Sequence, residues 1–549
     1  MTHTVRFFRE LVALAWVLVA GTTFNPAAAA EDPSVGERIY REGVLPSGAP
    51  LRGERTATGA VEGRMAACQI CHRRSGLGSA EGRIVVPPII GHYLFRPRAT
   101  NVLDLSLPHV PGYRSTRDPY TPATLARAIR EGVDANGRVL SVLMPRYALD
   151  DASIASLSTY LEGMSASPVR GVGDDVLHFA TIVTPDADPV ARRGMLEVMR
   201  RFFDDKNEFI RGGGRRMHAT REIEYRVMRR WQLHVWELSG APQTWEAQLR
   251  AKLAAEPVFA VISGLGGRTW APVHRFCEAE QLPCLFPNVD LPDVAEQDFY
   301  PVYFSRGVLL EADLMAGRLL ESAGSHNGAS RRIRQVVREG DLGPVAAQAL
   351  CDRLALRPEM ACETRVLPAH SNDLKNLGAL VGGMAPNDVL ALWLRPGDLA
   401  RLPAPAPTAQ TVFVSGLMGG LEHAPLPSGW RGVAQLTYPF DLPDERRVRM
   451  NFPLTWFKIR GIEVVAERVQ TDTYVALGIL SETLRDMLDS FVPDYLVERV
   501  EVMLSHRLVN GYYPRLSLAQ GQRFASKGGY LVRLADDAAV VPDGEWQAP

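Results

Sequence analysis

The chain has 549 residues, of which 46% are hydrophobic and 22% charged, and its formal net charge is -1. That length predicts two or three domains, and the composition is that of globular protein rather than of a disordered, fibrous or membrane-spanning chain. The near-zero charge gives no general attraction to nucleic acid or to an anionic membrane, so neither is an expected partner.

The first residues of the chain have the pattern of an export signal. Arg6 and Arg9 precede an apolar run at 11–20, and four alanines follow at 27–30. This run is shorter than the roughly 20 residues that span a bilayer, although an uncleaved anchor remains the alternative. We therefore expect residues 1–30 to be a signal peptide. The mature chain is expected to be periplasmic, with no membrane span after cleavage.

Residues 31–164 are predicted to form one all-α domain. Helical patterns lie at 35–42, 120–132 and 149–164, and the second of these ends on Gly132. No strand-like apolar run of note separates the three patterns, so this domain is expected to contain helices only.

A haem-attachment motif lies inside this domain. Cys68 and Cys71 are separated by two residues and are followed directly by His72. Two thiols at this spacing reach the haem vinyl groups while the imidazole reaches the iron. A redox dithiol would need a βαβ setting, and a zinc site would need a second ligand pair, yet the next cysteine is Cys277. The motif predicts one covalently bound haem c (iron), with His72 as an axial ligand.

The second axial ligand is predicted to be Met144, which is followed by a proline just before the last helix of the domain. A thioether is a soft, neutral ligand that raises the reduction potential relative to a second imidazole. His92 and His109 are the rival ligands, and a core role for the methionine is the other alternative. With both axial positions filled by protein, no enzymatic activity is expected. Peroxidase-like chemistry would require Met144 to leave the iron.

Residues 34–164 resemble a mono-haem class I c-type cytochrome. The resemblance rests on the attachment motif and on four further stretches, at 36–40, 87–91, 144–145 and 160–161. It implies that the Pro87 carbonyl accepts a hydrogen bond from the His72 ring, which orients the imidazole, and that the domain carries electrons. The stretch at 48–62 is longer than the family's minimal pattern.

The sequence pattern changes after a linker predicted at 165–174. Over residues 175–549, helical patterns alternate with strand-like apolar runs, which lie at 177–183, 232–238, 258–263, 284–287, 333–337, 389–394 and 411–414. Such alternation predicts parallel sheets covered by helices on both faces. The length of the region indicates two α/β lobes. The predicted fold class is therefore multidomain, an all-α domain followed by a two-lobed α/β domain.

Four cysteines of this region fall in two close pairs, Cys277 with Cys284 and Cys351 with Cys362. In an oxidising compartment such pairs are expected to form disulfides, and buried free thiols are the alternative.

Residues from about 175 to 535 resemble the type I periplasmic binding proteins, in particular the branched-chain amino-acid type of ABC transporters. The resemblance rests on the stretches 259–264, 269–280, 281–287 and 303–307. It implies a ligand held between two lobes that close about a hinge.

Within that resemblance, the candidate ligand-binding residues are Arg268 and Thr269 at a glycine-rich turn, and Asn288 and Asp290 after the next strand. A helix N-terminus is a natural anion site, which favours Thr269. The alternatives are a plain helix cap for Thr269 and a plain turn residue for Asn288.

Two functions follow from these patterns. In the first, the chain is a periplasmic electron carrier whose fused domain binds a small molecule or docks a periplasmic dehydrogenase. In the alternative, it is an ABC-transporter-type solute-binding or sensor protein in which the haem is accessory. The expected partners are redox proteins and a small-molecule solute.

Overall fold

The computed structural model describes residues 33–56, 58–81, 83–95, 117–164, 168–213, 229–293, 298–323, 331–370, 374–409, 411–487, 490–506, 511–535 and 539–549. The predicted signal peptide (residues 1–30), residues 165–167 of the predicted linker and His109 lie outside these ranges, so those calls stay predictions. No helix among the described residues is long and apolar enough to cross a membrane.

The helices of the described residues are α1 (Pro33–Glu42), α2 (Gln69–His72), α3 (Gly91–Phe95), α4 (Pro122–Glu131), α5 (Asp151–Gly163), α6 (Pro189–Gly213), α7 (Trp245–Ala255), α8 (Ala271–Ala279), α9 (Val308–Ala323), α10 (Gly343–Leu354), α11 (Leu374–Val381), α12 (Pro396–Leu399), α13 (Gly416–Gly419), α14 (Ser428–Arg431), α15 (Pro443–Arg460), α16 (Glu467–Met487) and α17 (Pro493–His506).

The strands are β1 (Arg52–Arg55), β2 (Gly59–Glu62), β3 (Ser79–Glu81), β4 (Ile84–Val86), β5 (Arg146–Tyr147), β6 (Val176–Val183), β7 (Arg230–Glu237), β8 (Ala260–Ile262), β9 (Cys284–Leu285), β10 (Pro301–Val302), β11 (Arg331–Arg338), β12 (Met360–Leu367), β13 (Val389–Trp393), β14 (Thr411–Val414), β15 (Ala434–Tyr438), β16 (Tyr530–Leu534) and β17 (Val540–Pro542).

The chain divides into two compact units. The smaller unit comprises residues up to Ala67 together with Tyr120–Glu162, and the larger comprises Cys68–Pro119 and Gly163–Pro549. The segment that contains the haem-attachment motif therefore packs with the larger unit, and Met144 belongs to the smaller one.

The smaller unit contains α1, α4 and α5, as the helical patterns predict. Thr121 caps α4, because its hydroxyl accepts a hydrogen bond from the Thr124 amide at 3.2 Å, and Gly132 ends the helix at a φ of 70°. Helices α1 and α5 pack closely, and the rings of Tyr40 and Tyr160 lie 5.5 Å apart between them.

The prediction that residues 31–164 are all-α is wrong in one respect. Within the smaller unit, β1 pairs antiparallel with β2 and with β5, which gives a three-stranded sheet. The β1–β2 hairpin is formed by the stretch 48–62, the same stretch that is long for the cytochrome pattern. These strands span at most four residues and lack an alternating apolar face, so sequence periodicity does not reveal them. A two-stranded pair, β3 with β4, lies in the larger unit.

Besides the β3–β4 pair, the larger unit contains two large sheets, and its two α/β lobes confirm that part of the predicted fold class. The first lobe has a five-stranded parallel sheet in the order β10-β9-β8-β6-β7. Crossovers between its parallel strands include α6, α7 and α8, which is the arrangement that buries a sheet on both faces. Buried residues such as Phe179, Ile262 and Leu285 explain why these strands read as continuous apolar runs.

The second lobe has a seven-stranded sheet in the order β12-β11-β13-β14-β15-β16-β17. Its first five strands are parallel, and β16 and β17 add antiparallel at one edge. Helices α16 and α17, although late in the sequence, pack against the first lobe, where α16 contacts α6 and β8. The chain therefore passes between the lobes more than once.

Both predicted cysteine pairs are disulfides in the structure. Cys277 is bonded to Cys284 across a Cα–Cα distance of 6.1 Å, and Cys351 is bonded to Cys362 across 6.0 Å. Each disulfide links the end of a helix to a strand of the adjoining sheet, as the sequence spacing indicates.

Candidate functional site

The attachment segment, defined here as residues 68–78, begins with the one-turn helix α2. Cys68 immediately precedes this helix and Cys71 lies within it, and both thiols are free and partly exposed. The Cys68 carbonyl accepts hydrogen bonds from the amides of Cys71 and His72, at 3.3 and 2.9 Å. The single turn therefore presents two thiols and an imidazole from five consecutive residues, a set that fits covalent haem attachment.

The ring of His72 has a defined partner. Its Nδ1 lies 2.9 Å from the carbonyl oxygen of Pro87, the contact that the cytochrome resemblance implies. Burial lowers the pKa of His72, partly offset by this hydrogen bond, so the neutral form that can bind a metal is favoured. Gly78 allows the attachment segment to lie close to the chain just before Pro87, because a Cβ at this position would lie 2.2 Å from the Val86 carbonyl oxygen.

The predicted axial ligand Met144 lies in the smaller unit, in the turn before β5. Its carbonyl accepts a hydrogen bond from Arg146 Nη1 at 2.6 Å, and its side chain is partly buried. Three apolar residues close to Met144 in the sequence are exposed to solvent: Val139 by 78%, Val142 by 51% and Leu143 by 39%.

Two alternatives to the predicted haem ligation, His92 as a ligand and a zinc site, can be compared with the structure. His92 lies in α3 of the larger unit, where its ring is 5.3 Å from the ring of the neighbouring Tyr93. Across the described ranges no group of three or more His, Cys, Asp or Glu side chains is arranged to hold a metal ion. A zinc centre built from the two thiols therefore has no third donor of these types among those residues.

A second candidate site is a cleft between the two lobes of the larger unit. Its enclosed cavity is small, about 10 Å³, which is room for about one water molecule, and the space grows to about 340 Å³ only when the opening to solvent is counted. The residues that line it come from the first lobe, the second lobe and α16, and they include Asn288, Asp290, Tyr303, Phe304, Ser305, Leu417, Phe440, Arg468, Asp472 and Tyr513.

Asn288 is held at the floor of the cleft. Its Nδ2 donates to Ser263 Oγ at 3.1 Å and to Thr473 Oγ1 at 3.3 Å, and so connects β8 to α16. Its Oδ1 is buried and has no hydrogen-bond partner among the described residues, and the same is true of Asp472 Oδ1. Because a buried acceptor without a partner costs free energy, these two oxygens make the cleft a candidate site for a molecule that donates hydrogen bonds.

Asp290 connects both sides of the cleft. Its carboxylate lies 3.0 Å from Arg468 Nη2, on α16, and 3.8 Å from Arg395 Nη1, on the second lobe. Arg395 is itself bound by Asp341 at 2.9 Å. Gly307 lies beside this loop at a φ of 57°, and a Cβ there would lie 2.0 Å from the Asp290 carbonyl oxygen. The lobes are thus linked by ion pairs at the cleft opening.

The buried carboxyl group of Asp472 is strongly affected by its surroundings. Burial raises its pKa to about 7, Arg468 lowers it and Asp290 raises it further. The residue is 2% exposed. Near neutral pH the group therefore changes between a proton donor and an anion, which makes it sensitive to the charge of whatever binds beside it.

Replacing Asp472 by asparagine is expected to flatten the pH dependence of stability between about pH 4 and 7. Because its pKa is higher in the folded state, the folded chain holds a proton that the unfolded chain releases. The stabilisation is complete below the unfolded pKa and is lost as the pH rises toward 7, by at most about 1.4 kcal/mol per pH unit. Denaturation midpoints across this range measure the slope. An unchanged slope in the variant contradicts the assignment, and Asp204→Asn, on an exposed position of α6, is the control.

Of the four predicted ligand residues, the structure brings two to the cleft. Asn288 and Asp290 line it, whereas Arg268 and Thr269 are not among its lining residues. The Arg268 amide donates to Asp186 Oδ2 at 2.8 Å, and Thr269 Oγ1 accepts from the Ala271 amide at 3.4 Å. The N-cap of α8 is Trp270, without a side-chain capping bond, so Thr269 lies next to the helix start but is not its cap.

The sequence did not single out Arg468 and Asp472, which lie on α16. The signal available was a run of four polar residues at 470–473 inside an apolar helix, each at most 2% exposed in the structure. Buried polar residues of this kind are uncommon and point to a shared network or a site.

Comparisons with known proteins give structural likenesses only. No family model and no curated relative matches the chain. Among solved structures, a fatty acid ABC transporter substrate-binding protein from Thermomonospora curvata is similar at 12% identity and a TM-score of 0.47, over 70% of this chain and 95% of that one. A leucine-binding protein from Thermotoga maritima is similar at 11% identity and a TM-score of 0.45, over 67% and 98%.

A branched-chain amino acid ABC transporter from Thermus thermophilus, solved with bound valine, is similar at 9% identity and a TM-score of 0.48, over 69% of this chain and 98% of that one. The two-lobed fold of the larger unit rests on its own sheet topology, described above.

Proposed function

We propose that this chain is an exported solute-binding protein whose cleft takes a small polar molecule, and that it carries one covalently bound haem c. The observation that supports the first part is the pair of buried acceptor oxygens, on Asn288 and Asp472, that have no partner among the described residues and lie at a cleft between two lobes. Capture of a solute, for transport or for sensing, is the main activity. The haem is accessory to it, and no catalytic step is assigned.

The chemistry of the cleft defines the kind of solute. Two unpartnered acceptors call for a molecule that donates hydrogen bonds, and the carboxyl group of Asp472 favours a protonated amine. The rings of Phe304 and Tyr513 are stacked with centroids 5.3 Å apart, and Phe440 lies 5.2 Å from Tyr513. These rings provide an apolar wall for the body of the molecule. The preferred solute is therefore a small amine with an apolar side.

Calorimetric titration with matched probes tests this proposal. Leucine, 3-methylbutylamine and 4-methylpentanoate share one branched chain, and the last two lack the carboxylate and the amine of leucine, respectively. We expect 3-methylbutylamine to bind at least tenfold more tightly than 4-methylpentanoate, and Asp472→Asn to remove this difference. Equal affinities for these two probes, or binding of neither, would overturn the proposed solute class.

The haem part of the proposal rests on the attachment segment. Cys68 and Cys71 would form the two thioether bonds, His72 would bind the iron, and the Pro87 carbonyl would orient the imidazole through the observed 2.9 Å contact. A haem bound there would supply one-electron chemistry. The residues of the chain would attach it and orient its ligand.

Electron carriage is the second candidate function, and the contact between His72 and Pro87 supports it, because this contact would orient the imidazole and make it a stronger donor to an iron. In this case the partners would be periplasmic redox proteins, such as a dehydrogenase, and the cleft would serve to sense a substrate. Met144 would supply the second axial ligand.

Met144→Ala is expected to remove the weak long-wavelength absorption band of the oxidised protein and to lower its reduction potential, since a thioether ligand raises that potential. Absorption spectra in both redox states and a potentiometric titration measure the two effects. Met65→Ala, which changes a methionine that is 59% exposed in the same unit, should leave both properties unchanged. A Met144→Ala protein that retains the band would contradict the ligation and reopen the choice of axial ligand.

A further inference from the structure

Three consecutive residues after His72 are each bound by a carboxylate of one helix. Arg74 Nε lies 2.7 Å from Asp494 Oδ1. The amide and hydroxyl of Ser75 donate to the two oxygens of Glu498, at 2.9 and 2.6 Å. Arg73 forms an ion pair with Glu501.

These acids lie on one side of α17. Their spacing, 494, 498 and 501, places successive carboxylates about one helical turn apart, and we call the set Asp494, Glu498 and Glu501 the carboxylate face. The three residues are 9%, 3% and 3% exposed. Buried acids are rare unless they are paired, and here each one is paired with the attachment segment.

Helix α17 and the attachment segment also contact residues of the first lobe. Glu501 also binds Arg523, which donates to the Phe299 carbonyl at 3.0 Å. The guanidinium of Arg74 lies 4.6 Å from the ring centre of Phe299, and the Tyr300 hydroxyl donates to Asp494 at 3.2 Å. Phe299 and Tyr300 directly precede β10. The attachment segment is thus fixed at several points to the first lobe rather than carried on a free linker.

We propose that the carboxylate face of α17 is part of the haem site, and that Asp494, Glu498 and Glu501 are positioning residues that fix the attachment segment, and the haem it carries, on the first lobe of the solute-binding domain. This inference rests on the proposed attachment of haem to Cys68 and Cys71. It assigns the binding domain a role in the haem environment that the cytochrome motif alone does not contain.

The charge of this face gives the proposal a second consequence. Glu501 is the anion between two cations, the largely buried Arg73 and the buried Arg523. Replacing it by glutamine leaves both cations without that anion, so the attachment segment should loosen and the local charge become more positive. A more positive environment stabilises the reduced form of a nearby iron, and the reduction potential should rise.

The test uses the full mature chain, matured with haem, as wild type, Glu501→Gln and the charge-conserving Glu501→Asp. Amide hydrogen exchange of peptides within 69–78 is expected to become at least tenfold faster in Glu501→Gln, with a higher reduction potential. Glu501→Asp should shift both properties less. Glu208→Gln, at an exposed position of α6, is the matched control and should change neither.

Exchange within 69–78 that stays within twofold of wild type, or a potential that does not rise, overturns the positioning role. If Glu501→Gln does not fold, Glu501→Asp decides the matter, since its smaller shifts must have the same direction. A chain that carries no covalent haem contradicts the proposed attachment instead. The exchange measurement then still reports whether the carboxylate face fixes the segment.

Discussion

A chain in which Cys68 and Cys71 are both serine is expected to be exported without covalently bound haem. Each cysteine would contribute one thioether bond, and the observed turn presents both thiols beside the His72 imidazole. Serine hydroxyls do not form these bonds, so the expected loss is complete. Haem absorbance of the denatured protein, after removal of all non-covalently bound groups, measures the effect.

The matched control is the double variant Cys277→Ser and Cys284→Ser, which removes a disulfide in the larger unit. We expect this protein to lose stability, by about 2–3 kcal/mol as for a disulfide that closes a short loop, and to keep its haem. Covalent haem in the Cys68→Ser, Cys71→Ser chain would show that the motif is not the attachment site. Absence of haem from the wild-type chain would contradict the attachment itself.

Replacing Arg468 by methionine is expected to destabilise the larger unit by about 3 kcal/mol and to abolish solute binding. Arg468 is the cation between Asp290, at 3.0 Å, and the buried Asp472, and its side chain is 27% exposed. Removing one partner of a buried ion pair leaves an uncompensated charge, which costs about 3–5 kcal/mol, and the partial exposure favours the lower end of that range.

Urea denaturation followed by tryptophan fluorescence measures this loss, because every tryptophan except Trp16 lies in the larger unit. Arg460→Met is the matched control, because Arg460 forms an ion pair with Asp205 and its side chain is 42% exposed. Such surface pairs contribute at most about 1 kcal/mol. A loss of stability of the same size in both variants would contradict the proposed role of Arg468 in the cleft.

The α/β part of the fold could be predicted because its strands are buried on both faces. Runs such as 177–183 and 389–394 are nearly all apolar, and they correspond to β6 and β13. The short strands of the smaller unit could not be predicted in this way. Strand β1 reads Arg-Gly-Glu-Arg. Only its pairing in the folded chain, of Arg52 with Glu62 and of Gly53 with Tyr147, identifies it as a strand.

The candidate sites were predictable where they are local in sequence. The attachment motif occupies five consecutive residues, and Asn288 and Asp290 follow one predicted strand. By contrast, Asp290 and Arg468 are 178 positions apart, and Arg73 and Glu501 are 428 apart. The helices that carry Arg468 and Glu501 read as ordinary core helices, so only the folded chain reveals which of their charges are paired.

The most direct test of the account is a pair of mass spectra of the mature protein purified from the compartment to which it is exported. The account predicts that the denatured mass exceeds the polypeptide by one haem, and that the native mass exceeds the denatured mass by one small amine. A denatured mass equal to that of the bare polypeptide would contradict the haem attachment. Equal native and denatured masses, after incubation with 3-methylbutylamine as well, would contradict the assignment of the cleft.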